Sequence, residues 1–146
     1  MATWEYNDGG RAAAGFKGDT GDCVCRAIAI ATGDSYQHVY DMLNYLAASE
    51  RPRARGGQRH SARLGMPRRL YDRYLRSLGW TWTPTMHIGQ GCTVHLRAEE
   101  LPSGRLIVRL SRHLAAVVDG VVHDTEDPSR SGTRCVYGYY SKEVSR

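Results

Sequence analysis

The sequence predicts an α+β domain, in which helices from the first half of the chain pack on an antiparallel β-sheet from the second half. Apolar side chains recur at helical spacing up to Gly79, whereas strand-like runs rich in Val, Ile, Leu or Tyr follow it. Segregated helices and strands are typical of α+β folds. The 146 residues are enough for one hydrophobic core, so we expect 1–146 to be a single domain.

The first predicted helix begins with a cysteine. Asp22 is a good N-cap for a helix that starts at Cys23, and Thr32-Gly33 provides its end. The residues between them are apolar nearly all round, so we expect this helix to be buried between the sheet and the next helix. A thiol in the first turn lies at the positive end of the helix dipole, which favours the nucleophilic thiolate.

Two further helices are indicated by the spacing of apolar residues. Ser35 caps a helix over 36–48, and Pro67 begins a helix that Gly79 ends. Residues 50–65 have no apolar period and predict a mobile loop between these helices.

Strands dominate the rest of the chain, where residues rich in Val, Ile, Leu, Tyr or Trp alternate. We also expect an extended segment at the N-terminus that contributes one edge strand. The predicted strands cover 80–83, 105–110, 113–119, 121–124 and 134–140, with a helical turn at 98–102 and the extended segment over 1–20.

An Asp-Gly pair joins the two strands that carry a candidate base. Asp119-Gly120 lies between apolar runs and favours a two-residue type I′ turn. That turn makes His113 and Asp124 diagonal neighbours on one face of the sheet. A carboxylate there can accept a hydrogen bond from one imidazole nitrogen and leave the other nitrogen for a thiol. His123 points to the opposite face, unless the turn has an odd length.

This order of residues resembles the papain-like cysteine peptidases. Asp22-Cys23 opens an apolar helix, a histidine begins a late strand, and an aspartate follows one hairpin later. The likeness is closest to small bacterial and phage-encoded domains, similar to bacteriocin-processing peptidase domains, and covers most of 18–140. The resemblance implies that Cys23 is the nucleophile, His113 the general base and acid, and Asp124 the orienting carboxylate.

The sequence departs from that family at the oxyanion hole. Many members carry a glutamine about six residues before the cysteine, and here that position holds Lys17. The backbone N–H of Cys23 and another donor, such as the Thr20 hydroxyl, would have to hold the oxyanion. Cys25 is a rival nucleophile about 200° further round the helix, so only one of the two thiols can face the hairpin. The N-cap favours Cys23.

The net charge of +5 is unevenly distributed, because many arginines fall within 51–76. This segment could be a basic patch for nucleic acid or for an acidic partner. The alternative is a solvated loop and helix face, since no aromatic residues are interleaved with the loop arginines. Only Asp72 opposes the arginines, which are Arg51, Arg53, Arg55, Arg59, Arg63, Arg68, Arg69, Arg73 and Arg76.

Cysteine and glycine patterns argue against several other classes. The four cysteines do not resemble a secreted disulfide framework, which favours a reducing cytoplasm. Dinucleotide and P-loop signatures are absent. No apolar run approaches the roughly 20 residues that span a bilayer, and we see no signal peptide. We expect no cofactor, metal or membrane partner. The zinc alternative would use His87, Cys92, His95 and Cys135, but it lacks a paired Cys-x-x-Cys.

We therefore predict a papain-like thiol hydrolase, either a cysteine peptidase or an isopeptidase-like enzyme. It would transfer an acyl group from a peptide or protein substrate to water through a thioester on Cys23. An amine acceptor, as in a transglutaminase, stays open. The alternative is a catalytically silent papain-like domain that binds a host protein or nucleic acid through 51–76.

Overall fold

Three helices and one six-stranded sheet form the described part of the chain, which covers residues 3–17, 21–49, 61–63 and 65–143 of this computed structural model. The α+β class is therefore confirmed. The elements are β1 (Thr3–Tyr6), α1 (Cys23–Thr32), α2 (Tyr36–Ala48), α3 (Arg68–Ser77), β2 (Thr81–Pro84), a 3₁₀ turn (Ala98–Glu100), β3 (Arg105–Leu110), β4 (His113–Val118), β5 (Val121–Asp124) and β6 (Gly138–Ser141).

The sheet is mixed rather than antiparallel, so that part of the prediction is wrong. Its strand order is β1-β5-β4-β3-β6-β2, and every neighbouring pair is antiparallel except β1 and β5. Strand β1 lies at one edge, parallel to β5, with Thr3 beside Val121. No hairpin joins these two strands, so nothing local imposes an antiparallel direction.

Helix α1 lies between the sheet and α2, as its apolar composition predicts. Cys25 and Ile28 are fully buried, whereas Ile30 is partly exposed. Gly33 ends the helix in the left-handed conformation, with φ of 79°. Asp22 occupies the N-cap position, but its side chain makes no capping hydrogen bond. Its carboxylate is used elsewhere, and this bears on the site.

Helices α2 and α3 begin and end close to the predicted positions. The Ser35 hydroxyl caps α2 by accepting the N–H of His38 at 3.1 Å. Pro67 directly precedes α3, and its N-terminal position costs no helical hydrogen bond. The buried faces of both helices belong to the core on one side of the sheet.

Side chains pack on both faces of the sheet, and the central strands β3 and β4 are therefore mostly buried. One core lies between the sheet and the helices, and a smaller core fills the other face. The smaller core consists of Leu96, Leu101, Leu106, Val108, Leu110, Ala115, Val117, Val122 and Val136.

The β4–β5 hairpin has the predicted turn and register. Asp119 and Gly120 both have positive φ, 49° and 80°, as a type I′ turn requires. Val118 pairs with Val121 across the turn. This register brings the start of β4 beside the end of β5, where the candidate site lies.

Cys92 and Cys135 form a disulfide, with their Cα atoms 5.8 Å apart. The cysteine pattern in the sequence did not predict this disulfide, and one reason for expecting a reducing cytoplasm is therefore lost. The two segments meet because His95 forms an isolated β-bridge with Cys135. The disulfide occupies both sulfur atoms of the zinc alternative. Within the described residues, no group of three potential metal ligands converges, and no helix is long and apolar enough to cross a membrane.

Candidate active site

Cys23 and His113 meet where the N-terminus of α1 reaches the start of β4. The half-buried thiol is hydrogen-bonded to the His113 side chain and to the backbone N–H of Leu114. Burial by itself raises the pKa of Cys23, but the hydrogen bond and charge of His113 act against it. With help from Leu114 and Arg26, they hold the thiol pKa below its usual value. The surroundings of Cys23 therefore favour the thiolate.

The imidazole of His113 lies between the thiol and a carboxylate. Its Nε2 is 2.5 Å from Oδ2 of Asp124, which leaves Nδ1 as the ring nitrogen available to Cys23. Burial lowers the pKa of His113, but the hydrogen bonds and charges of Asp124 and Cys23 raise it to about 9. The ring is thus stabilised as an imidazolium between two anionic partners.

Asp124 is the buried end of this hydrogen-bonded line. Its second oxygen, Oδ1, accepts the backbone N–H of Thr125 at 2.7 Å and lies 3.4 Å from Nη2 of Arg26. Burial raises the pKa of Asp124, but His113, Thr125 and Arg26 lower it overall. The carboxylate therefore stays ionised and holds the imidazole in one orientation.

Arg26 supports the site from behind and was not identified from the sequence. Its guanidinium pairs with Asp124 and also with Asp22, the residue before Cys23. Asp22 is only 1% exposed, and it also accepts the Tyr36 hydroxyl at 2.6 Å and lies 3.5 Å from Nε of Arg11. The sequence shows that Asp22 and Arg26 are four residues apart. It does not show that Asp22 and Asp124, the two carboxylates paired with Arg26, are buried.

The rival residues face away from this site. Cys25 lies in the core against α2, with its thiol 3.7 Å from the carbonyl oxygen of Tyr36. Burial and the charge of Asp22 raise its pKa to about 12, so Cys25 stays a neutral thiol. His123 instead approaches β1, where its Nδ1 lies 3.3 Å from Asn7 and 3.7 Å from Glu5.

A cleft of about 410 Å³ opens over the Cys23 thiol. Its described walls come from the start of α1, from α3 and from the β3–β4 hairpin. On the other side of His113 lies a broader polar depression of about 1060 Å³ that reaches Asp124. The thiol therefore opens onto the cleft, and the nearly buried carboxylate lies at the wall of the depression on the other side. Thr20, the candidate oxyanion donor, lies outside the described residues, and Lys17 is exposed.

The arginine-rich segment divides into parts with different surroundings. Residues 51–59 lie outside the described part of the chain. Arg68 lines the cleft beside Cys23, Arg73 is exposed on α3, and Arg76 pairs with Asp72 at 2.9 Å. Binding of nucleic acid or of an acidic partner through this segment stays a prediction.

Comparison with protein-family models, with curated proteins and with solved structures finds no match to this chain.

Proposed function

We propose that this protein is a papain-like thiol hydrolase that cleaves peptide or isopeptide bonds through a thioester on Cys23. The observation that carries the proposal is the hydrogen-bonded line from Cys23 through His113 to Asp124, which opens into a cleft at the thiol. Its three pKa directions suit one task, because they favour a thiolate, an imidazolium and a carboxylate side by side.

In the proposed reaction the Cys23 thiolate attacks the scissile carbonyl carbon and forms a tetrahedral oxyanion. The backbone N–H of Cys23, in the unpaired first turn of α1, is positioned to donate to that oxyanion. His113 then gives its proton to the leaving amine, and the C–N bond breaks to leave a thioester. Water attacks the thioester, and His113 accepts its proton as the acid is released and the thiolate returns.

Comparison of the two thiols of α1 favours a catalytic role for Cys23 over a purely structural one. Cys25 has what a structural cysteine needs: complete burial and a pKa raised to about 12. Cys23 is partly exposed and has a lowered pKa. A catalytically silent domain would have no need to keep the Cys23 thiol partly exposed and paired with the imidazole of His113.

The test is hydrolysis of a mixed peptide pool, read by mass spectrometry, together with the rate of alkylation by iodoacetamide at neutral pH. We expect Cys23 to react faster than a free cysteine and Cys23→Ala to abolish hydrolysis with the circular dichroism spectrum unchanged. Cys25→Ala is the matched control on the same helix and should keep activity. Added methylamine distinguishes the acceptors, since an amine acceptor would yield a methylamide in place of the acid.

Two results would refute the hydrolase. One is an intact protein that cleaves no peptide and transfers no acyl group to methylamine. The other is equal loss of activity in Cys25→Ala and Cys23→Ala, which would show that the reactive thiol was assigned wrongly.

A further inference from the structure

Three arginines from three different elements line the cleft over Cys23. Arg68 comes from α3, Arg109 from β3, and Arg112 from the two-residue turn before His113. None of the described residues that line this cleft is acidic. Apart from His113 and the Cys23 thiol itself, the remaining described lining is apolar or uncharged. The cleft at the nucleophile is therefore strongly positive.

Two of these guanidinium groups are held by aromatic rings. Arg68 lies 4.6 Å from the centroid of Trp82, and Arg109 lies 5.6 Å from the centroid of Tyr137. Trp82 in turn packs on the backbone at Gly138, where a Cβ atom would lie 2.4 Å from the indole. Stacking fixes the plane of a guanidinium while its N–H edge stays able to donate hydrogen bonds.

Arg112 is instead positioned by its backbone conformation. It has φ of 54°, in the left-handed region, within a turn whose flanking residues Leu110 and His113 pair directly. A non-glycine residue in this region is uncommon. The turn places an exposed arginine next to the catalytic histidine, where it borders both the thiol cleft and the depression beside Asp124.

The cleft arginines are less fully neutralised than other arginines of the molecule. Arg26, Arg76 and Arg97 each pair with a carboxylate. Within the described part of the chain, Arg68, Arg109 and Arg112 make no such ion pair, although Asp72 lies within electrostatic reach of Arg68. Fixed positive charge in a partly enclosed cleft attracts anionic groups, and a planar guanidinium suits a carboxylate.

We propose that this cleft selects peptides with an acidic side chain beside the scissile bond, bound by Arg68, Arg109 and Arg112. The proposal rests on the hydrolase function and names its substrate class. The carboxylate could also be the C-terminus of the peptide, so the test separates these two sources. A preference for internal Glu is the expected result.

The first measurement compares kcat/KM for matched peptides. C-terminally amidated peptides carrying Glu beside the scissile bond should be cleaved about tenfold faster than those carrying Gln, and the advantage should shrink with added salt. Arg68→Gln and Arg112→Asn should each reduce the advantage about threefold. Arg73→Gln, an exposed arginine on the same helix as Arg68, is the control and should leave it unchanged. Equal cleavage of Glu and Gln peptides, or a preference confined to free C-termini, would overturn the proposal while leaving hydrolysis intact.

The second measurement needs no turnover. The ratio of Cys23 alkylation rates by iodoacetate and by iodoacetamide reports the charge at the thiol, because the two reagents differ in having a carboxylate. This ratio should fall about threefold in Arg68→Gln and in Arg112→Asn and stay constant in Arg73→Gln. A ratio unaffected by both cleft substitutions overturns acidic selection. If no peptide is hydrolysed, the proposed hydrolase function is refuted instead. The ratio of alkylation rates would then still show whether the cleft is positively charged at the thiol.

Discussion

The guanidinium Nη2 of Arg26 lies 3.4 Å from Oδ1 of Asp124, so the helix that carries Cys23 is ion-paired to the strand that carries the candidate orienting carboxylate. The same guanidinium pairs with Asp22. Asp22 and Asp124 are 1% and 5% exposed, so each depends on a nearby cation to remain charged. Arg26 thereby couples the stability of the fold to the geometry of the site.

We expect Arg26→Met to lower the free energy of unfolding by about 3–5 kcal/mol at neutral pH, because it leaves two buried carboxylates without this partner. Urea denaturation measures the loss. Arg76→Met is a matched control, since Arg76 also pairs with an aspartate four residues earlier but is 54% exposed. Its cost should stay below about 1 kcal/mol. Equal costs for the two variants would contradict the role given to Arg26.

The pKa of His113, about 9, predicts an alkaline limit to turnover. Proton donation to the leaving amine requires the imidazolium, which is lost as the pH rises through the pKa of the folded protein. We therefore expect kcat/KM to fall above about pH 9. Asp124→Asn should move this limb to lower pH, because Asp124 is a principal cause of the raised pKa. His123→Gln, which changes a histidine outside the site, should leave the profile unchanged; an identical shift in both variants would contradict the assignment.

Asp124→Asn should also lower activity without abolishing it. Oδ2 of Asp124 accepts from His113 and Oδ1 accepts from Thr125, but an amide offers only one accepting oxygen. The amide NH₂ must therefore face one of the two donors or force the imidazole into its other tautomer. We expect kcat to fall about 10²–10⁴-fold while staying above that of Cys23→Ala, as measured with one peptide substrate. Activity equal to the unmodified protein would show that Asp124 does not orient the ring.

The parts of the site that depend on local sequence signals could be predicted. The Asp119-Gly120 dipeptide specifies its own turn, and the period of a strand then places His113 near Asp124. Helix α1 could likewise be predicted from its apolar composition and from Gly33 at its end. The roles of these residues in catalysis remain predictions.

The features that were missed depend on contacts between distant segments. Nothing in the sequence near Thr3 indicates that β1 runs parallel to β5, because 118 residues separate the paired positions Thr3 and Val121. The partial burial of Arg26 follows from α1 packing against β4 and β5, which the sequence of α1 does not encode. The same holds for the disulfide, whose cysteines are 43 residues apart.

Because Cys92 and Cys135 form a disulfide, we expect reductant to lower the stability of the folded protein. Its closure of a 43-residue segment restricts the unfolded chain, which in the chain-entropy description stabilises the folded state by about 2–4 kcal/mol. Thiol titration of the unfolded, unreduced protein should find two reactive cysteines, Cys23 and Cys25. Dithiothreitol should then lower the midpoint of urea denaturation.

The Cys92→Ala, Cys135→Ala double variant is the control for this effect. It should show the lower midpoint at the outset and no further response to dithiothreitol, because Cys23 and Cys25 form no disulfide. Neither substituted residue lines the cleft, so alkylation of Cys23 should keep its rate in the folded variant. Four reactive thiols in the unreduced chain, or a midpoint that responds equally to reductant in both proteins, would contradict the disulfide.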